Sequence, residues 1–257
     1  MVKVDLYGRA GNQMFQFSYA RLVALKNHLN LVTEWPAGGL VEATTPAEGR
    51  GVIGVYRDIH DGEELPENID YPVYLHGYFQ DVNVFNIYKK EIKSFWKPEP
   101  IKAINHDDIV IHLRLTDYWS QRVNSVIRPD WYQMILSKER YNKLYIVVEP
   151  HCTNEKYLSN FKHYSPTIVS GTPKSDFNFL RSFDRIVCSN STFAWWAAYL
   201  SEASKIYTFK RWMKGLNLAH MDGATVIDGA YWRDRSLERL DWDNYWEKPE
   251  SYFRRGR

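Results

Sequence analysis

Two short runs carry the residue types that could do chemistry. The first is Asp108-Ile109-Val110-Ile111-His112-Leu113-Arg114-Leu115-Thr116-Asp117-Tyr118, where an apolar stretch ends abruptly in charge. A buried parallel strand with ligand groups at its carboxyl end reads this way. His112 and Arg114 are two apart and share one strand face, while Leu113 and Leu115 share the other. The Arg114 guanidinium keeps its charge at any working pH, and its planar fork matches a phosphate or a carboxylate. A structural pair between Arg114 and a nearby acid is the competing reading, and this run alone leaves both open. The second run is Ser189-Asn190-Ser191-Thr192, followed by Phe193-Ala194-Trp195-Trp196. Three hydroxyls and an amide, together with the free N–H groups of a helix start, form a donor-rich cup suited to a diphosphate. Capping would use one of these residues, not four. Phe193, Trp195 and Trp196 read as helix packing.

The elements that must hold these runs follow from periodicity. Residues 2–7 read as a first strand, Gly8-Arg9-Ala10-Gly11-Asn12 as a break, and 13–27 as a helix. Met14, Phe17 and Arg21 fall on one helix face and Phe15, Tyr19, Leu22 and Lys26 on another, so apolar groups nearly all round predict deep burial. Residues 31–35 read as the next strand, which makes a βαβ unit. The turn's N–H groups could bind an anion, but the full phosphate-binding glycine spacing is missing and a plain tight turn is the simpler account. Within the Gly- and Pro-rich stretch 36–70, residues 51–56 are predicted as one short strand, and 71–75 as another. Asp81 is placed as the N-cap of a helix carrying Val84, Phe85, Tyr88, Ile92, Phe95 and Trp96. Lys97-Pro98-Glu99-Pro100 stops it and divides an N-terminal lobe, 1–100, from a C-terminal lobe, 101–257.

Beyond that division the pattern becomes regular. Apolar strands are predicted at 109–115, 144–148, 167–170, 185–188 and Lys205–Phe209. Helices are predicted from Pro129, over 176–183 with Ser175 as N-cap, and over 192–200. Short apolar strands separated by helices imply a parallel, doubly wound α/β sheet. Residues 210–257 are rich in Trp, Asp and Arg and show no clear period.

Composition narrows the class of function. Thirty-three basic and 31 acidic side chains give a formal net charge of +2, with no basic stripe to favour nucleic acid. Ten Trp and eighteen Tyr suit a core and also a cleft that stacks on sugar rings. Cys152 and Cys188 make neither a disulfide framework nor a metal-ligand spacing, and Cys188 reads as a small buried hydrophobe. No apolar stretch follows Lys3 as in a signal peptide, and none approaches the roughly 18 residues of a membrane helix. The expectation is a soluble, cytoplasmic chain with no membrane span.

Four runs in order resemble the α-1,2-fucosyltransferases, glycosyltransferase family 11. They are Gly11-Asn12-Gln13-Met14-Phe15-Gln16-Phe17, Gly77-Tyr78-Phe79-Gln80, His112-Leu113-Arg114-Leu115-Thr116-Asp117-Tyr118 and Ser189-Asn190-Ser191-Thr192-Phe193-Ala194-Trp195-Trp196. The resemblance implies a GT-B-like α/β fold, two Rossmann-like lobes facing a cleft, with the first lobe reduced. It implies a GDP-linked sugar donor, a glycan acceptor, inversion at the anomeric carbon, and no metal or other cofactor. It implies donor contacts from His112, Arg114, Asp176, Ser189, Asn190, Ser191, Thr192 and Phe193, with Gly11, Asn12 and Gln13 facing the cleft from the first lobe. Without the resemblance, Asp176 is an ordinary first-turn helix acid.

The chain departs from the family in two of these runs. Leu115 stands where a second arginine is usual, and Gly8-Arg9-Ala10-Gly11 stands where the family turn reads Gly-Gly-Leu-Gly. The first departure keeps a different GDP-sugar open as donor. A non-catalytic glycan- or nucleotide-binding protein on the same scaffold is the alternative of another class. For transfer, Arg114 is expected to stabilise the leaving diphosphate. Asp117 is the first candidate for the general base, with Glu149 second. The rival role for Asp117 is a salt bridge to Arg114 or Arg122. Asp241-Trp242-Asp243 has the spacing of a metal-binding acid pair but sits in an aperiodic tail, so it reads as surface.

Overall fold

The apolar strand segments segregate into two parallel sheets, described from a computed structural model. It describes residues 1–34, 36, 39–119, 126–150, 152, 154–212 and 217–229. Trp35, Arg122 and the Asp241-Trp242-Asp243 run lie outside the described residues.

The N-terminal half runs β1 (Val2–Val4), α1 (Ala10–Asn27), β2 (Leu31–Val32), β3 (Glu42–Ala43), β4 (Arg57–His60), β5 (Val73–His76), α2 (Val82–Ile87), α3 (Lys89–Ser94) and β6 (Trp96–Lys97). Its sheet is parallel in the order β2-β1-β5-β4, and β3 and β6 form a separate antiparallel pair. Strand alternation gives the sheet two unlike faces. Val2, Val4, Ile59, Val73 and Leu75 are buried against Tyr19, Ala20, Val23 and Ala24 of α1. The other face presents Lys3, Asp58, His60, Tyr74 and His76, none of them buried. Among them the His76 imidazole lies 2.8 Å from the Asp58 carboxylate.

The C-terminal half runs β7 (Ile109–His112), α4 (Pro129–Leu136), β8 (Leu144–Val147), α5 (Glu155–Ser159), β9 (Thr167–Val169), α6 (Pro173–Arg181), β10 (Arg185–Val187), α7 (Thr192–Tyr199), β11 (Lys205–Phe209) and β12 (Ala224–Ile227). These six strands are all parallel, in the order β12-β11-β10-β7-β8-β9. The winding reverses between β7 and β10, as in doubly wound nucleotide-binding sheets. Both faces are covered. Val110 and Ile186 belong to the apolar cluster containing α6 and α7, while Ile109 and Ile111 belong to the one containing α4. Four consecutive buried residues in β7 are what a central parallel strand requires.

One aromatic core joins the halves. Phe15 of α1 lies with its ring centroid 4.6 Å from that of Trp195 and 5.0 Å from that of Trp196. The Trp196 indole donates to the Gly11 carbonyl at 3.0 Å, and the Tyr199 hydroxyl donates to the Phe85 carbonyl at 2.8 Å. The deep burial expected for the first helix is observed, and it extends to Gln16 and Ser18 at 0% exposure.

Several local expectations need correction. The first helix starts at Ala10 rather than 13, so Gly11 and Asn12 are helical and the first strand is short. Residues 51–56 form no strand; the strand is Arg57–His60, where pairing with β5 decides. Thr172, not Ser175, caps α6: its hydroxyl accepts from the Ser175 N–H at 3.2 Å, and Pro173 takes the first helical position. The predicted helix after Asp81, whose carboxylate caps it through the Asn83 N–H, is split at Tyr88 into α2 and α3. Ala224–Ile227 adds a sixth strand that the sequence reading did not assign.

Gly11 is the tightest point between the halves. A Cβ there would stand 2.6 Å from Thr192 Oγ1, 2.8 Å from the Thr192 carbonyl carbon and 2.9 Å from the Phe193 nitrogen. Gly11→Ala gains about 0.5–1 kcal/mol of helix propensity. The backbone clash outweighs it, because overpacking of this kind costs about 1–3 kcal/mol. Urea unfolding should therefore find Gly11→Ala less stable than the parent.

Candidate functional site

At the reversal point of the six-stranded sheet, the carboxyl ends of β7 and β10 open into a cavity of about 890 Å³. It has the size of a small-molecule site. From the C-terminal half its wall holds His112, Arg114, Thr116, Asp117 and Tyr118 after β7, Glu149 after β8, Asp176 on α6, and Asn190, Ser191, Thr192 and Phe193 at the start of α7. From the N-terminal half come Gly8, Arg9, Ala10, Gly11 and Asn12, with Asp61, Tyr78 and Gln80.

Two helix N-termini face this space. Neither Arg9 before α1 nor Ser191 before α7 makes a side-chain cap hydrogen bond. Uncapped first-turn N–H groups carry partial positive charge, so two converging helix starts favour an anion. Their approach is fixed by hydrogen bonds as well as by Gly11. Asn12 Oδ1 accepts from Thr192 Oγ1 at 3.2 Å and from Gln80 Nε2 at 3.0 Å. Gln16 ties the adjoining loops: its Oε1 accepts from the Tyr7 N–H at 3.0 Å, and its Nε2 donates to the Gly77 carbonyl at 3.1 Å. Asp61 Oδ2 accepts from the N–H groups of Tyr78 and Phe79.

Arg114 stands at the centre of the charged wall, and its side chain is 12% exposed. Its Nε lies 2.8 Å from Glu149 Oε1, and its Nη2 lies 2.8 Å from Asp117 Oδ1. Glu149 also accepts from the Leu115 N–H at 2.9 Å and the Thr116 hydroxyl at 2.8 Å. These bonds fix the strand-end loop and make Glu149 a holder of Arg114 rather than a free base. Asp117 Oδ2 in turn lies 3.1 Å from Arg9 Nη2. The structural reading of Arg114, a pair with nearby acids, is observed, and its side chain also lines the cavity. Removing one partner from a buried ion pair leaves an uncompensated charge and costs about 3–5 kcal/mol. Arg114→Ala is thus expected to destabilise the fold.

His112 is buried at 2% exposure, and its Nδ1 is 2.7 Å from Ser189 Oγ. Burial lowers its pKa to about 4, with Glu149 pulling the other way. It is neutral at physiological pH, and Nε2 is the ring nitrogen left for a ligand. Its ring lies 5.4 Å from that of Phe193. The Asp176 carboxylate accepts from the Gly171 N–H at 2.9 and 3.0 Å, and burial raises its pKa above the ordinary value. A buried carboxylate with spare acceptor capacity suits hydrogen-bond donors on a ligand.

Most of the sequence-predicted residues come together here. Gly11, Asn12, His112, Arg114, Asp117, Asp176, Asn190, Ser191, Thr192 and Phe193 all line the one cavity. Ser189 stands behind His112 and orients it. Gln13 is not in the wall, and its side chain donates to the Gly8 carbonyl at 3.0 Å. Sequence reading missed Arg9 and Asp61. Each lies in a loop whose spacing points to nothing beyond a turn. Among the described residues no group of three or more His, Cys, Asp or Glu side chains is arranged to hold a metal ion, and no helix is long and apolar enough to cross a membrane. Compared with known proteins, the chain matches no protein-family model and no curated protein.

Two outcomes follow from the buried ionisable groups. The folded pKa of His112 lies below the ordinary value, so the unfolded chain binds a proton first. Stability tied to His112 is complete above about 6.5 and is lost as pH falls towards about 4. NMR titration should find the His112 imidazole still neutral at pH 5. Asp176 has the opposite sign. Its folded pKa lies above the unfolded one, so the ionised carboxylate costs stability at neutral pH and stops doing so once pH falls below the unfolded value. Asp176→Asn, which keeps an acceptor for the Gly171 N–H, should melt higher than the parent at pH 7. That gain should vanish near pH 3.

Proposed function

We propose that the chain is an inverting glycosyltransferase of GT-B-like architecture. In this reading residues 1–100 form the acceptor-side lobe and 101–257 the nucleotide-sugar lobe. The donor is GDP-fucose, and the acceptor is the 2-hydroxyl of a galactose-type glycan. The observation that carries the reading is the convergence of Arg114 and the Asn190–Thr192 donors on one cavity at the sheet's reversal point, between two uncapped helix N-termini. That arrangement suits a diphosphate leaving group, and the four family-like runs supply its residues.

The reaction sets the demands. As the acceptor oxygen attacks the anomeric carbon, positive charge grows on the sugar and negative charge on the departing diphosphate. Preorganised cations and N–H dipoles at the leaving group lower that barrier. Arg114 supplies the cation, and the starts of α1 and α7 supply the dipoles. Neutral His112 hydrogen-bonds the donor without adding charge. Asp176 accepts from donor groups of the nucleotide. Asp117 takes the acceptor's proton, and Glu149 holds Arg114 in place. Leu115 is buried at 1% exposure, so the strand end brings one guanidinium. This keeps a GDP-sugar other than GDP-fucose as the second reading.

Calorimetric titration with GDP, GDP-fucose and GDP-mannose, followed by a donor hydrolysis assay, tests the proposal. Micromolar GDP binding with slow hydrolysis of one GDP-sugar is expected. Binding without turnover of any donor across a broad acceptor panel would instead identify a binding protein. Arg114→Lys keeps the charge but loses the bidentate fork, so turnover should fall by about 10²–10³-fold.

A further inference from the structure

Arg9 has no part in the scheme above, yet it stands in the wall of the same cavity. Gly8, at φ +81°, turns the chain tightly enough that a Cβ there would meet Asn12 Nδ2 at 2.9 Å. The turn delivers Arg9 to the N-cap position of α1, beside that helix's uncapped N–H groups. Its guanidinium reaches across to Asp117 of the other half, Nη2 to Oδ2 at 3.1 Å. Asp117 is its only ionic partner among the described residues. The side chain is 65% exposed, against 12% for Arg114.

The charges decide what this contact can do. Asp117 and Glu149 balance Arg9 and Arg114, and Asp61 and Asp176 stand in the same wall, so an incoming diphosphate meets no net positive charge from the described side chains of the lining. Arg114 is pinned by Glu149 through Nε, and Glu149 is in turn held by the Leu115 N–H and the Thr116 hydroxyl. Arg9 is held by one exposed pair, which is worth at most about 1 kcal/mol. A phosphate carries more charge than a carboxylate and accepts a guanidinium fork bidentately. The weak link in the quartet is therefore the Arg9–Asp117 contact.

We infer that Arg9 is a second diphosphate-binding cation, contributed by the N-terminal half, and that the bound diphosphate takes it over from Asp117. The inference rests on the nucleotide-sugar reading. Exchange has two consequences. The diphosphate is gripped from opposite walls, by Arg114 and by Arg9. Asp117 loses the Arg9 guanidinium while Arg114 stays beside it, so a cation is withdrawn from the candidate base when the donor is in place. In the transfer step the acceptor oxygen bonds to the anomeric carbon, and the bond from that carbon to the β-phosphate oxygen breaks. Both electrons of the broken bond leave with the diphosphate, and the acceptor's proton passes to the Asp117 carboxylate. Donor-first binding follows, since it is the donor that draws Arg9 away from Asp117.

The test compares GDP with GMP, which lacks the β-phosphate, by calorimetry on the full chain and four variants. Arg9→Ala should weaken GDP by about tenfold or more while moving GMP less than about twofold, the size of one charge-assisted bond. Arg9→Lys should fall between the two, and it serves the same comparison should Arg9→Ala fail to fold. Asp117→Asn should tighten GDP, because it removes the competing carboxylate. In the Arg9→Ala/Asp117→Asn double variant that gain should shrink. A purely structural Arg9–Asp117 bridge predicts the reverse, with both single variants weakening GDP and GMP alike. That result, or unchanged GDP affinity in Arg9→Ala, overturns the inference and leaves the proposed function standing. Absence of GDP binding by the parent chain overturns both.

Discussion

The close approach of α1 to α7 is the constraint on which the site depends. It needs a residue without a side chain at Gly11, since the nearest atoms across the contact include the backbone of Thr192 and Phe193. It also needs an aromatic filling behind it, where Phe15, Phe85, Trp195 and Trp196 pack edge to face or tilted within 6 Å of one another. Apolar burial supplies the driving force, and the indole of Trp196 bonded to the Gly11 carbonyl sets the register. With that contact made, two sets of first-turn N–H groups open on the same space. Helix dipoles act within about a turn of the helix end, so a looser contact would forfeit their joint field.

Electrostatically the wall pairs cations with acids, and Asp61 and Asp176 stand in the same lining. Two guanidinium groups and two carboxylates alternate as Arg9, Asp117, Arg114 and Glu149. A bare Arg114 in this half-closed wall would carry a desolvation cost of several kcal/mol, and its acids offset it. In the proposed nucleotide-sugar reading this pairing means competition, because a diphosphate's negative charge displaces a carboxylate's. The quartet is stiff at Glu149, which also accepts from the Leu115 N–H and the Thr116 hydroxyl, and looser at Arg9, whose side chain is exposed.

The two sheets divide the work. The six-stranded sheet is covered on both faces and holds His112, Arg114 and Asp176 on rigid strand ends and helix starts. Among the described residues the four-stranded sheet is covered on one face only, and it brings loops rather than strand ends to the cavity. Buried Gln16 is the hinge pin of those loops, tying Tyr7 to Gly77 across the strand ends. A polar residue with no exposed surface is there for its hydrogen bonds, and it explains why an amide sits within an otherwise apolar helix face.

Particular residues mark how much was legible beforehand. The apolar runs at Ile109–His112 and Leu144–Val147 identified a parallel sheet, because burial on both faces writes itself as near-continuous hydrophobicity. The hydroxyl run before α7 and the charge cluster after β7 were legible as donor groups for the same reason: residue type announces chemistry. Boundaries at 51–56 and at Ser175 were not, since pairing with β5 and the Thr172 hydroxyl outrank local pattern. Arg9 was invisible as a cavity residue. Its position follows from the packing of α1 on α7, a contact between residues about 180 apart that no local period encodes. Sequence alone thus determined which polar and charged groups stand together at the strand and helix ends. The tertiary packing decided which of them meet, because a side chain's partners are set by burial across distant segments and not by its neighbours along the chain.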